Sequence, residues 1–168
     1  MPAAPVLRYP DARLKQRCRP LAFEDEQELV DRVAADLLDT MREQPRCVGL
    51  AAPQIGELVR LVAIDVTGHP KADSCQGPLV LVNPVVVRAS GDELGREGCL
   101  SIPDLTANVR RATLVEVEAR SPAGEAIGFE ANGFEARVVQ HELDHLDGIL
   151  FLDRVASKQD LFRRKTYG

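Results

Sequence analysis

Between residues 25 and 43, apolar side chains recur at Leu29, Val30, Val33, Leu37, Leu38 and Met41, the spacing of one helical face. This predicts an amphipathic helix over residues 25–43, opened by a capping box of Asp25 with Glu28 and closed before Pro45. Residues 48–56 are rich in Gly, Ala and Pro without a period of their own, which predicts a structured loop running into a strand. β-Branched runs at 58–66 and 79–87 predict two strands, parted by a turn-rich stretch holding Gly68, Pro70, Gly77 and Pro78. Residues 113–120 alternate, with Val115, Val117 and Ala119 opposite Glu116, Glu118 and Arg120. Ser121-Pro122-Ala123-Gly124 then turns the chain into 126–131, giving a half-exposed hairpin. From Gly133 the period becomes helical, and Phe134, Val138, His141 and His145 follow at steps of four, three and four. Helix, strands, then helix predicts an α+β fold with a mixed or antiparallel sheet.

The chain has 168 residues, 45% hydrophobic and 28% charged, so it reads as one domain (residues 1–168, with a short C-terminal tail at 155–168) that needs no structural metal or disulfide. Any metal would serve chemistry. Twenty-one basic against 26 acidic residues give a net charge of −5, which disfavours DNA binding through a broad basic face. Cys18, Cys47, Cys75 and Cys99 are far apart in sequence, so no CxxC redox pair or zinc-ribbon spacing exists. Met-Pro-Ala-Ala-Pro-Val-Leu-Arg at the N-terminus lacks an apolar signal core, and no apolar run is long enough to span a membrane. The expectation is a cytoplasmic protein with no membrane partner.

His141-Glu142-Leu143-Asp144-His145 matches H-E-x-x-H. On a helix, residues i and i+4 share a face, so both imidazoles can bind one cation while Glu142 reaches a water on it. A catalytic site normally needs a third protein ligand. The metzincin position for it is Phe151, and residues 146–168 contain no Glu, so the third ligand is expected upstream. Cys99, in Glu97-Gly98-Cys99-Leu100-Ser101-Ile102-Pro103, is the candidate by context, since a thiolate is a strong soft ligand. Alone it would read as a small buried hydrophobe. His69, beside Pro70 in a polar turn, reads as a surface residue.

Three segments together, Gly49-Leu50-Ala51-Ala52-Pro53-Gln54, Glu97-Gly98-Cys99-Leu100-Ser101 and Gln140-His141-Glu142-Leu143-Asp144-His145, resemble the three motifs of peptide deformylase, in the expected order. The similarity runs from about residue 8 to about residue 154. The resemblance implies a metal-dependent hydrolase that removes the N-formyl group from the formyl-methionine of new polypeptides and releases formate. It implies one divalent metal ion on Cys99, His141 and His145, with water as the fourth ligand. Ferrous iron is expected in the cell, and Zn2+, Ni2+ or Co2+ can occupy such a site in purified protein. Metal-bound water would attack the formyl carbon, with Glu142 as general base and then acid. The resemblance gives the Gln54 amide and the Leu100 backbone N–H as donors to the developing oxyanion.

Phe134 and Val138 precede His141 on one helical face and are candidates for a methionine pocket, with core packing as their equal alternative. Gly49 and the small residues after it would let backbone approach an extended peptide. Two positions depart from the family pattern. Cys47 stands where Gly is usual, which would be strained if that backbone needs positive φ, and it suggests a site of oxidative sensitivity. Arg137 stands where an apolar residue is common, and by helical geometry its charge is expected at the pocket mouth, favouring substrates with an acidic or carbonyl-rich stretch after methionine. Arg163, Arg164 and Lys165 offer a transient contact to ribosomal RNA, with a solvated tail as the plainer alternative. A metallopeptidase is the nearest rival; a four-ligand zinc module would leave Glu142 without work.

Overall fold

A computed structural model describes residues 4–155 and 157–164. The first helix, α1 (Phe23–Glu43), starts earlier than its apolar period suggests. Asp25 and Glu28 form no capping box. Instead the carboxylate of Glu26 accepts from the Ala22 N–H at 3.0 Å while it pairs with Arg19, so a fourth-position acid does the work of a cap.

Five strands form one antiparallel sheet in the order β1 (Gly49–Ala51), β2 (Leu61–Ile64), β3 (Leu79–Ser90), β6 (Leu114–Arg120) and β7 (Ala126–Asn132). A second sheet orders β4 (Glu93–Cys99), β5 (Ile102–Arg111) and β8 (Leu161–Arg163). The second helix, α2 (Gly133–Leu146), carries the H-E-x-x-H segment. The α+β expectation holds, and every strand pairing is antiparallel.

All four residues of β2 are buried because the large sheet is covered on both faces. Val62, Ile64 and Leu81 pack on Val139, Leu143 and Leu146 of α2, whereas Leu61, Ala63 and Val82 pack on Val30, Val33 and Leu37 of α1. The inner face of the small sheet, through Cys99, Ile102, Ala107 and Val109, closes over Leu14, Leu150 and Phe151. Packed on the large sheet, α2 reaches the small one through Arg137, His141 and His145.

Several expected boundaries move. The run at 58–66 supplies only the four residues of β2, and the run at 79–87 extends to Ser90. The loop at 48–56 opens with β1 and continues as a 3-10 turn, Ala52–Ile55. Strands β4 and β5 are absent from the sequence expectation. Part of the presumed tail is also a strand: Leu161–Arg163 pairs with β5, because β5 otherwise presents an open edge. Lys165 lies outside the described residues. No helix among the described residues is long and apolar enough to cross a membrane.

Candidate active site

Strand β4 alternates, so Glu97 and Cys99 point inward while Arg96 and Gly98 point outward. A register shift between Gly98 and Cys99, where pairing jumps from Gly98↔Thr106 to Cys99↔Ile102, ends the ladder. Such an irregularity re-aims the strand's last side chain. Leu100 lies just past it, so its backbone is not taken up in the strand pairing.

The Cys99 Sγ reaches 3.4 Å from His145 Nε2, and Cys99, His141 and His145 each offer a ligand atom within 4.8 Å of the others. One of these side chains comes from β4 and two come from α2. His141 Nδ1 lies 2.9 Å from Glu97 Oε1, which fixes the ring and leaves Nε2 for a metal. His145 Nδ1 and Glu142 Oε1 are buried with no hydrogen-bond partner among the described residues. One thiolate, two imidazoles and an unengaged carboxylate beside them suit a divalent transition metal with one open coordination position.

Glu97 is held from three sides. Arg111 grips it with two hydrogen bonds of 2.8 and 2.9 Å, and Arg137 Nη1 donates at 2.8 Å. Burial alone would raise the Glu97 carboxyl, but Arg111 and then His141 outweigh it and hold the group well below the usual carboxylate range. Arg111 also donates to Asp144 at 2.6 Å, and Arg154 holds the same carboxylate. Burial pushes Glu142 the other way, up to about 7. Two acids of one site are therefore tuned apart by their surroundings.

Gln54 is buried. Its side-chain oxygen accepts from Ala51 N–H at 2.9 Å, and its amide donates to Ser101 Oγ at 3.1 Å and toward Cys99 Sγ at 3.4 Å. The amide donor thus sits beside the ligand cluster. Gly49 faces Glu142 so closely that a Cβ would lie 2.7 Å from Oε2.

A cavity of about 490 Å³ opens on this cluster. Gly49, Gln54, Phe134, Val138, Arg137 and Leu100 all border it. So does His69, which stacks on Phe134 with ring centroids 4.1 Å apart; it is no surface bystander, although nothing local in its polar turn signals the contact. Arg137 is not a free charge at the mouth. Its guanidinium also donates to the carbonyls of Val109 and Glu93 at 2.8 Å and packs against Gly95, where a side chain would collide. Cys47 avoids strain, because the positive φ of 66° falls on Arg46 instead. Burial pushes the Cys47 thiol up to about 12, and the thiol donates to Gly49 O at 3.3 Å, so little reactive thiolate forms there.

A model of the family described as Polypeptide deformylase matches residues 3–160. Peptide deformylase 2 of Vibrio cholerae is 42% identical over 162 residues, covering 95% of this chain and 91% of that protein. The peptide deformylase of Desulforudis audaxviator is 39% identical over 161 residues, covering 95% and 96%. Among solved structures, the class I type b peptide deformylase of Acinetobacter baumannii with bound Met-Ala-Ser superposes with a TM-score of 0.83 at 34% identity, covering 91% of this chain and 98% of that one. The family model and these relatives each cover nine-tenths or more of the chain, and so this chain belongs to the polypeptide deformylase family.

Proposed function

We propose that the chain removes the N-formyl group from the formyl-methionine of newly synthesised polypeptides in the cytoplasm, releasing formate. The observation that carries this reading is the convergence of Cys99, His141 and His145 beside the buried carboxylate of Glu142, at the inner end of a cavity wide enough for a peptide. A divalent metal on those three ligands, ferrous iron in the cell and Zn2+, Ni2+ or Co2+ in purified protein, would supply a Lewis acid and a water made nucleophilic near neutral pH.

The chain's own groups do the rest. Glu142 takes a proton from the attacking water and returns it to the leaving amine. The Gln54 amide, on giving up its long contact with Cys99 Sγ, and the Leu100 N–H donate to the charge that grows on the formyl oxygen. Phe134 and Val138, with His69 stacked over Phe134, wall a pocket suited to an unbranched apolar side chain. Strand β4 is an edge of its sheet, so an extended peptide can add beside it while Gly49 borders the other side. Nascent formylmethionyl peptides are the partner this geometry serves, and Arg163, exposed on β8, remains for a transient ribosome contact.

Anaerobically purified protein carrying one metal per chain should release formate from formyl-Met-Ala-Ser. Chelation should abolish release and ferrous iron should restore it; peptide-bond cleavage without formate would instead favour the metallopeptidase reading. Gly49→Ala should lower kcat/KM by about 10²-fold, because the new methyl group must displace the Glu142 carboxylate. Parent-like kinetics in that variant, at equal metal content, would show that Glu142 tolerates the shift.

A further inference from the structure

The cavity mouth carries cations that the reaction does not use. The chain is acidic overall, at −5, and most of its arginines are neutralised locally, each within 4.0 Å of a carboxylate, Arg111 and Arg137 at the site included. Arg46, Arg96 and Arg164 also line the cavity, and none of the three has such a partner among the described residues. The carboxylates in the lining, Glu97 and Glu142, are enclosed; the first is held by Arg111 and Arg137 and the second faces the ligand cluster.

The arginines are placed by the fold. Arg96, Gly98, Thr106, Asn108, Phe162 and Arg164 share the outer face of the small sheet, since Gly98 pairs with Thr106 and Thr106 with Phe162. Arg96 donates to Asn108 and Thr106 at 3.2 Å and lies 3.7 Å over the Phe162 ring, which holds its fork in one orientation. The Arg164 guanidinium reaches across Thr106 to lie against Gly98, in space that any side chain at position 98 would occupy. The acids of this face are engaged or distant. Asp160 is bonded by Asn108 and Ser157, and Asp104, whose carbonyl accepts from the Arg164 N–H, keeps its carboxylate beyond 4.0 Å. Arg46 stands on the opposite wall, in the loop before β1.

We propose that Arg46, Arg96 and Arg164 form a cationic rim that selects formylated peptides with acidic side chains directly after the methionine. This rests on the deformylase reading above. A peptide that leaves the ligand cluster along the β4 edge passes between the two arginine-bearing walls, and its first side chains meet guanidinium groups with donors to spare. Charges at a rim act chiefly on encounter rate and its salt dependence, so the preference belongs in kcat/KM and fades with salt.

The test compares kcat/KM for formyl-Met-Asp-Glu, formyl-Met-Ala-Ser and formyl-Met-Lys-Lys at low and high salt, in the parent, Arg46→Gln, Arg96→Gln and Arg164→Gln. The acidic peptide should exceed the basic one by about tenfold at low salt, and the ratio should shrink at high salt and in each variant. Using a ratio divides out any general loss of folded enzyme. A flat ratio in the parent, while all three peptides release formate, overturns the rim and leaves the deformylase reading standing. A ratio untouched by the three substitutions also overturns it. Formate from none of the peptides would remove the underlying reading, and the rim with it. A flat ratio alongside salt-sensitive retention of a short RNA, lost in the same variants, would assign these arginines to nucleic acid instead.

Discussion

Glu142→Gln should lower kcat for formate release by about 10²- to 10⁴-fold, the range for loss of a positioned general base, while metal content stays at the parent's level. Glutamine has nearly the same shape and can still fill the space against Gly49, where Oε2 now sits. It cannot accept and return a proton. Glu142 is well placed for proton transfer, since it follows His141 on α2, is buried, and has one oxygen unengaged among the described residues. Burial lifts its carboxyl to about 7, near the pH at which a group both takes and gives a proton efficiently. Single-turnover formate release on metal-analysed protein measures the effect. A variant that keeps both its metal and the parent's rate would place proton transfer on another residue.

Arg111→Met should destabilise the fold by about 3 kcal/mol, the lower end of the cost of breaking a buried ion pair. Its side chain and that of Glu97 are each 4% exposed, so methionine fills the volume but leaves Glu97 and Asp144 short of a counter-charge. Arg137 still touches Glu97, and Arg154 still touches Asp144, which keeps the cost from reaching the upper end. For a chain of this size about 3 kcal/mol corresponds to a fall in Tm of about 6–12 °C, readable by thermal denaturation. The rate should fall too, because a loosened Glu97 no longer fixes the His141 ring. An unchanged Tm would mean that the network is neutral against a hydrophobic replacement.

The parts legible in the sequence are those whose signal is local. The H-E-x-x-H pair is one turn of helix, and the alternation of Val115, Val117 and Ala119 needs only its own strand. Strands β4 and β5 hide because the inward positions of a normal strand are apolar, whereas here they include Glu97 and Arg111, whose burial is sustained by their bonds to each other and to Arg137, His141 and Asp144. Gly95, Gly98, Pro103 and Asn108 add turn-forming residues to the same stretch. The Glu97–Arg111–Asp144 network joins residues far apart in sequence, and no periodicity reports such a contact. Arg137 illustrates the limit: helical geometry puts it near the pocket, but its partners come from β4 and β5, so its charge is neutralised rather than presented. The capping signal at Asp25 fails for a related reason, since Glu26, tied to Arg19 outside the helix, satisfies the terminus first.

Cys99 arrives on the small sheet, while His141 and His145 arrive on the helix that packs against the large one. A metal shared by all three would therefore act as a clasp between two layers, and by mass action it would favour the docked arrangement by RT ln(1 + [M]/Kd). With such an ion bound, the protein's resistance to heat and to proteolysis would be coupled to metal supply: starved of it, the chain would forfeit part of its fold's cohesion along with its chemistry.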